Sequence, residues 1–212
     1  DSRAHPGTLE PGRRYKVRVP MNHIAQTIPA GHRIRLSISS VYWPLAWTPP
    51  EDARLTLWTR ASRLNLPVRP PRASDEDLPD FGDPVSAPPP ETTTLAAPEH
   101  TWRVSHDLAS QVSSLEVTDD RGRMRFDDID LTVTARAREV YSARGDDFAS
   151  ARGETEWWRS LSRGSWSVSS RTRTVLRADR DNFHIDAELD ACEGDVRQFS
   201  RSWSQTIPRD LV

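Results

Sequence analysis

Apolar and polar residues alternate one by one over most of this chain. Tyr15, Val17 and Val19 alternate with Arg14, Lys16 and Arg18, and Ile34, Leu36 and Ile38 alternate with Arg33, Arg35, Ser37 and Ser39. Such a period of two puts apolar side chains on one face of a half-buried strand and polar ones on the other. The pattern predicts strands over 14–19 and 33–39, with Pro29-Ala30-Gly31 as the turn before the second. Residues 53–60 read as a third strand, with Leu55 and Leu57 on one face. Residues 67–98 are different. They hold nine of the 17 prolines, including Pro88-Pro89-Pro90. Proline donates no backbone hydrogen bond, so this segment reads as an extended surface connector rather than a central strand or a helix.

Alternation returns after residue 100. It predicts strands at 101–107, 111–118, 122–127 and 129–140, then at about 154–162, 165–177, 182–191 and 196–206. Trp166, Val168, Thr172, Thr174 and Leu176 share one face of their strand. So do Phe183, Ile185, Ala187, Leu189 and Ala191, and then Phe199, Trp203 and Ile207. Arg163-Gly164, Asp179 to Asp181 and Glu193-Gly194 are short enough for hairpin turns, so these strands form an antiparallel meander. No stretch shows a period of 3.6, and there is no internal repeat. Many short strands with Gly/Pro turns predict an all-β sandwich, jelly roll or barrel. A chain of 212 residues suits one such domain.

Charge removes some function classes. Acidic and basic residues nearly balance, at net −2, which argues against a nucleic-acid or anionic-membrane binder held by bulk charge. Lys16 is the one lysine among 29 basic residues. The single Cys192 excludes an intrachain disulfide and a cysteine-based zinc site, and it fits a reducing, cytoplasmic compartment. No apolar run approaches the ~20 residues of a membrane span. The chain opens at Asp1 on a Pro/Gly-rich turn and reads as a piece of something longer.

Catalytic chemistry is not evident. The Gly-x-Ser-x-Gly turn of a serine hydrolase is absent, and Gly164-Ser165-Trp166-Ser167 has the wrong spacing within an expected hairpin. The histidines do not pair at metal-binding spacings. His32 falls in phase with the buried face of its strand and reads as structural, whereas His184 points outward. The acids at Asp119-Asp120, Asp127-Asp128-Asp130 and Asp146-Asp147 read as solvated turns and surface ion pairs. Asp179, Asp181 and Asn182 lack the glycine and distal glutamate of a calcium loop. No cofactor site, metal site or catalytic residue is therefore assigned. Aromatic residues are the remaining signal. Tyr42, Trp43 and Trp47 lie in a proline-braced loop after a strand. They suit a sugar platform, a docking surface or burial against the same chain. Trp157 and Trp158 point to opposite sides of one strand, so at least one belongs in the core.

Several strings carry a family resemblance. They are Leu9-Glu10-Pro11-Gly12-Arg13-Arg14-Tyr15, the run from Ile28 through Pro29-Ala30-Gly31-His32-Arg33 to Ser40, Tyr42-Trp43-Pro44-Leu45-Ala46-Trp47, and Ala61-Ser62-Arg63-Leu64-Asn65-Leu66-Pro67-Val68. The ending Arg201-Ser202-Trp203…Ile207-Pro208-Arg209-Asp210-Leu211 also fits. Together they resemble the C-terminal region of the CocE/NonD hydrolases, relatives of the X-Pro dipeptidyl-peptidases. The resemblance spans 9–211 except the proline-rich stretch.

It implies a single C-terminal jelly-roll β-sandwich over 1–212, with its first strands lying before Asp1. It also implies an N-terminal α/β-hydrolase domain as partner, carrying a Ser-Asp-His triad for acyl esters or X-Pro dipeptides. None of the triad maps onto this chain. Tyr42, Trp43 and Trp47 are then expected at the interdomain contact or the wall of the substrate cleft. Phe148 stands where the family often has proline in Asp146-Asp147-Phe148-Ala149-Ser150-Ala151, a departure from the usual turn there. A stand-alone carbohydrate- or ligand-binding module and an oligomerising structural domain are the alternatives. Open strand edges favour a homo-oligomer in the last case.

Overall fold

A computed structural model describes residues 6–211. The described residues are all-β and antiparallel, as the alternation predicts, with eight strands in one open sheet. They are β1 (Thr92–Ala96), β2 (Glu99–Asp107), β3 (Val112–Phe126), β4 (Leu131–Arg144), β5 (Asp147–Arg163), β6 (Trp166–Ala178), β7 (Asn182–Glu193) and β8 (Val196–Pro208). From β3 to β8 the sheet is a meander in chain order, while β1 and β2 both pair with β3. The expected turns are present, and Gly164 and Gly194 adopt φ of 54° there, a conformation that costs glycine little.

Three strand boundaries differ from expectation. The predicted strands 111–118 and 122–127 are one strand, β3, whose register shifts between Asp120 and Arg123. A bulge inserts residues without ending a strand. Gly122 sits in it at φ 71°, where a Cβ would run into the Ala96 and Ala97 backbone. Secondly, β5 begins at Asp147 rather than near 154, so Phe148 lies inside a strand. Thirdly, β1 falls within the proline-rich connector. It is compatible with that composition because it pairs with β3 alone, and Thr92–Ala96 contains no proline.

The first half departs most. Segments 14–19 and 33–39 are exposed and form no strand, and 53–60 ends in a single 3₁₀ turn at Thr59–Ala61. The turn at 29–32 does form, closed by the Ile28-following Pro29 carbonyl accepting from the His32 N–H at 3.2 Å. His32 itself is exposed, not part of a buried face. Alternation sorts side chains onto two faces, but a strand also needs a neighbour to take its backbone hydrogen bonds. In these segments no described strand supplies one.

The sheet has two unlike faces. Cross-strand register lines up Ala137, Trp157, Thr172 and Leu189 on one, with Tyr141, Gly153, Leu176 and Ile185 four residues along. The other carries Arg138, Glu156, Arg173 and Glu188 in one row and Arg136, Trp158, Arg171 and Asp190 in the next. Ion pairs tie the polar face: Arg138 with Glu116 at 3.1 Å, Arg171 with Glu156 at 2.9 Å, and Arg173 with Glu154 at 2.6 Å. Trp158 lies between the Arg136 and Arg171 guanidiniums, 5.5 and 5.6 Å from its ring centre. Trp157 and Trp158 thus do point apart, and neither is fully buried.

The apolar face is largely uncovered. Trp102 and Val104 are 69% and 74% exposed. The accessible surface is 18231 Å², against roughly 10,000 Å² for a compact monomer of this mass. This is one layer of the kind a β-sandwich pairs with another.

Candidate functional site

The loop 41–51 is the part of the first half that reaches the sheet. Its turn is closed by the Ala46 N–H donating to the Tyr42 carbonyl at 2.8 Å, and the Trp43–Pro44 bond is cis. Trp43 and Trp47 meet edge to face, with ring centres 4.5 Å apart. Trp43 then packs on Tyr141 of β4 at 5.9 Å, and Trp47 on Phe183 of β7 at 5.5 Å, both near perpendicular. Edge-to-face pairing suits aromatic quadrupoles. Gly153 of β5 lies beneath, and a Cβ there would already touch the Trp43 ring at 3.6 Å.

Both indoles are half-buried and pack on the same chain, against each other and against Tyr141 and Phe183. The indole Nε1 atoms of both are buried without a hydrogen-bond partner among the described residues. Tyr42 and Leu45, from the same turn, face outward at 66% and 73% exposure.

A polar corner locks the end of the loop. The buried Thr48 donates its hydroxyl to the Phe148 carbonyl of β5 at 3.0 Å. The Arg209 guanidinium donates to the Thr48 carbonyl and, at 3.0 Å, to the Asp179 carbonyl. It also lies 4.9 Å from the centre of the Phe183 ring. Arg209 is only 2% exposed, and this desolvation holds its pKa below the ordinary arginine value. Arginine still stays charged. An ion pair from Arg180 to Glu51 closes the outer side. Phe148, which departs from the expected turn residue, thus contributes its carbonyl to this corner.

The β6–β7 turn supports Arg209 from below. Its Asp179 carboxylate accepts from the backbone N–H groups of Asp181 and Asn182 at 2.8 and 2.7 Å. His184 lies with Nε2 2.7 Å from the same carboxylate, and the Thr206 hydroxyl reaches its Nδ1 at 3.3 Å. The His184 hydrogen bond, then the two backbone donors, pull the Asp179 pKa down to about 2. A carboxyl whose pKa is lower folded than unfolded stabilises the fold fully above about pH 4 and loses that contribution as pH falls to its folded value. Asp179→Asn is accordingly expected to flatten the acid limb of stability between about pH 4 and pH 2, read as urea midpoints against pH. An acid limb identical to wild type would contradict this role.

On the sheet side, burial first and then the hydrogen bond to Glu139 push the Tyr141 pKa up to about 12. Its hydroxyl donates to Glu139 at 2.7 Å. The floor under Trp43 is thus a neutral phenol at all ordinary pH.

Sequence reasoning singled out the loop but not its lock. Tyr141, Phe183 and Arg209 come from strands and a C-terminal turn with no local pattern to flag them, and Arg209 meets Thr48 across 161 positions. Elsewhere, Ser165 occupies the expected hairpin turn. Among the described residues no group of three or more His, Cys, Asp or Glu is placed to hold a metal ion. No helix among the described residues is long and apolar enough to cross a membrane.

Comparison with known proteins gives one finding. Residues 1–105 match the family of the X-Pro dipeptidyl-peptidase C-terminal non-catalytic domain. The matched part contains the loop and the strings at 9–15, 28–40 and 61–68, whereas most of the sheet and the 201–211 ending lie beyond it. No curated protein and no solved structure matches the chain.

Proposed function

Through residues 1–105 the chain belongs to the X-Pro dipeptidyl-peptidase C-terminal non-catalytic domain family, and on that premise we propose that it is the accessory β-domain of a CocE/NonD-like serine hydrolase. The enzyme is of the acyl-esterase or X-Pro dipeptidyl-peptidase type. Its chemistry belongs to a separate α/β-hydrolase domain, where an activated serine attacks the substrate carbonyl, a histidine takes the proton and an acid orients that histidine. This chain supplies a scaffold and part of the cleft wall.

The match to a non-catalytic domain carries this reading, and the uncovered apolar sheet face supports it. A monomer rarely leaves so much apolar surface to water unless something docks on it. Within the loop the three aromatic residues divide the work. Trp43 and Trp47 fasten it to β4 and β7, and Tyr42 reaches from it toward the catalytic domain. Cys192 is unpaired, which agrees with a reducing, cytoplasmic compartment.

The test is hydrolysis of short-chain acyl esters and X-Pro amides. Protein that includes the region encoded upstream of Asp1 is expected to turn over one of these classes, and residues 1–212 alone are expected to turn over neither. Turnover by residues 1–212 alone would end the proposal.

A further inference from the structure

We propose that the apolar face of the sheet carries a binding site for a small monocarboxylate with an apolar tail, whose carboxylate is held by Arg159. Cross-strand register builds the site from neighbouring rows. Val133, Leu161 and Val168 form one row, and Ala135, Arg159 and Ser170 form the next. Trp157 stands in the row beyond. The middle row is short of volume, because an alanine and a serine flank the arginine. A hollow of about 490 Å³ lies over these strands. Its size falls within the roughly 300–1,000 Å³ of small-molecule sites. The first row and Trp157 give it apolar walls, and Trp157 and Leu161 are exposed there. The loop 41–51 seats on Tyr141 and Gly153, six residues along the same strands from Ala135 and Arg159, and does not line the hollow.

The charge in the hollow sets the chemistry of the ligand. Arginines of the polar face have carboxylate partners, as Arg138, Arg171 and Arg173 do. Arg159 makes no ion pair and no side-chain hydrogen bond among the described residues. Its guanidinium lies 5.4 Å from the centre of the Trp157 ring, so the charge stays beside the apolar wall. The acid at the rim is engaged elsewhere. The Asp119 carboxylate lies 3.5 Å from the Arg121 guanidinium and 3.7 Å from the His100 ring. Arg121 belongs to the bulge in β3, a feature that re-aims side chains.

A guanidinium covered by apolar groups alone loses its hydration without compensation. A carboxylate supplies that compensation, through two parallel N–H···O bonds that match the planar fork. One free guanidinium matches one negative charge, and the walls offer the rest of the ligand only apolar contact. An apolar tail ending in a single carboxylate satisfies both.

Octanoate is the probe. Calorimetric titration into the 212-residue chain is expected to show one site. Octan-1-ol has the same tail without the charge and should bind about tenfold more weakly, or worse. Arg159 is exposed, so Arg159→Gln should keep the wild-type circular dichroism. It should weaken octanoate about tenfold or more and leave octan-1-ol unchanged. Ala135→Phe fills the hollow and should abolish binding of both. A photoreactive diazirine analogue of octanoate should label residues within 133–137, 157–161 or 168–170. No binding of octanoate at millimolar concentration, equal affinity for octanoate and octan-1-ol, or an Arg159→Gln variant that binds octanoate as wild type does would overturn the proposal. So would labelling confined to other segments, such as that around the exposed Phe81.

Discussion

Trp47→Ala is expected to detach the loop 41–51 from the sheet and to lower stability by about 3 kcal/mol, the lower range for removing a packed tryptophan. The indole is one of the two inner rings of a chain that runs from Tyr141 through Trp43 to Trp47 and Phe183. Its removal leaves Trp43 with Tyr141 alone as an edge partner and takes the Trp47 ring from Phe183. Each aromatic pair adds about 0.5–1.5 kcal/mol beyond the area it buries. Trp47→Phe should cost much less. It keeps a ring in place and removes a buried N–H that has no partner among the described residues. Urea midpoints give the stabilities, and amide exchange over 41–51 reports the detachment. Equal stability of Trp47→Ala and wild type, with exchange unchanged, would show that the loop is not held by its indoles.

The second large effect is expected at Arg209. Arg209→Ala strips the buried Thr48 carbonyl and the part-buried Asp179 carbonyl of their donor. An unsatisfied buried polar group costs about 1–3 kcal/mol, so a loss of about 3 kcal/mol is expected for the pair. Arg209→Lys separates shape from charge. A lysine ammonium keeps the charge but lacks the planar fork that reaches both carbonyls while lying on Phe183. Its variant should lose most of what the alanine variant loses. Lysine rescue to within a few tenths of a kcal/mol would mean that charge, not the fork, holds this corner.

The second half of the molecule was legible because two signals agreed there. Alternation marked the faces of β6, β7 and β8, and Gly164, Asp179 to Asp181 and Gly194 marked the turns between them. Face and turn together define a hairpin, since each strand's neighbour is the next one along the chain. The first half carried only one of these signals. Tyr15, Val17, Val19, Ile34, Leu36 and Ile38 alternate as well as anything in β7, yet they are exposed. Their alternation says which side chains would share a face, not which strand would lie beside them. The bulge in β3 broke the alternation near Gly122 and so looked like a gap between two strands. Prolines on either side disguised β1, although Thr92–Ala96 itself contains none.

The candidate site shows the same division. Tyr42, Trp43 and Trp47 stood out because large aromatics cluster in a short proline-braced loop. Their seats did not, because Tyr141, Gly153 and Phe183 are ordinary members of alternating strands. Arg209 was hidden among 29 basic residues, and only the fold separates it from the surface arginines of the polar face. Burial is what distinguishes it, and burial is a property of the tertiary arrangement.

The central claim is that hydrolysis belongs to a domain outside these residues. The most direct measurement is to treat the protein, extended through the region encoded upstream of Asp1, with a serine-directed fluorophosphonate and to map the labelled peptide. The account predicts a single labelled serine before Asp1, within a Gly-x-Ser-x-Gly turn. A label on a serine of residues 1–212, such as Ser165, would contradict it.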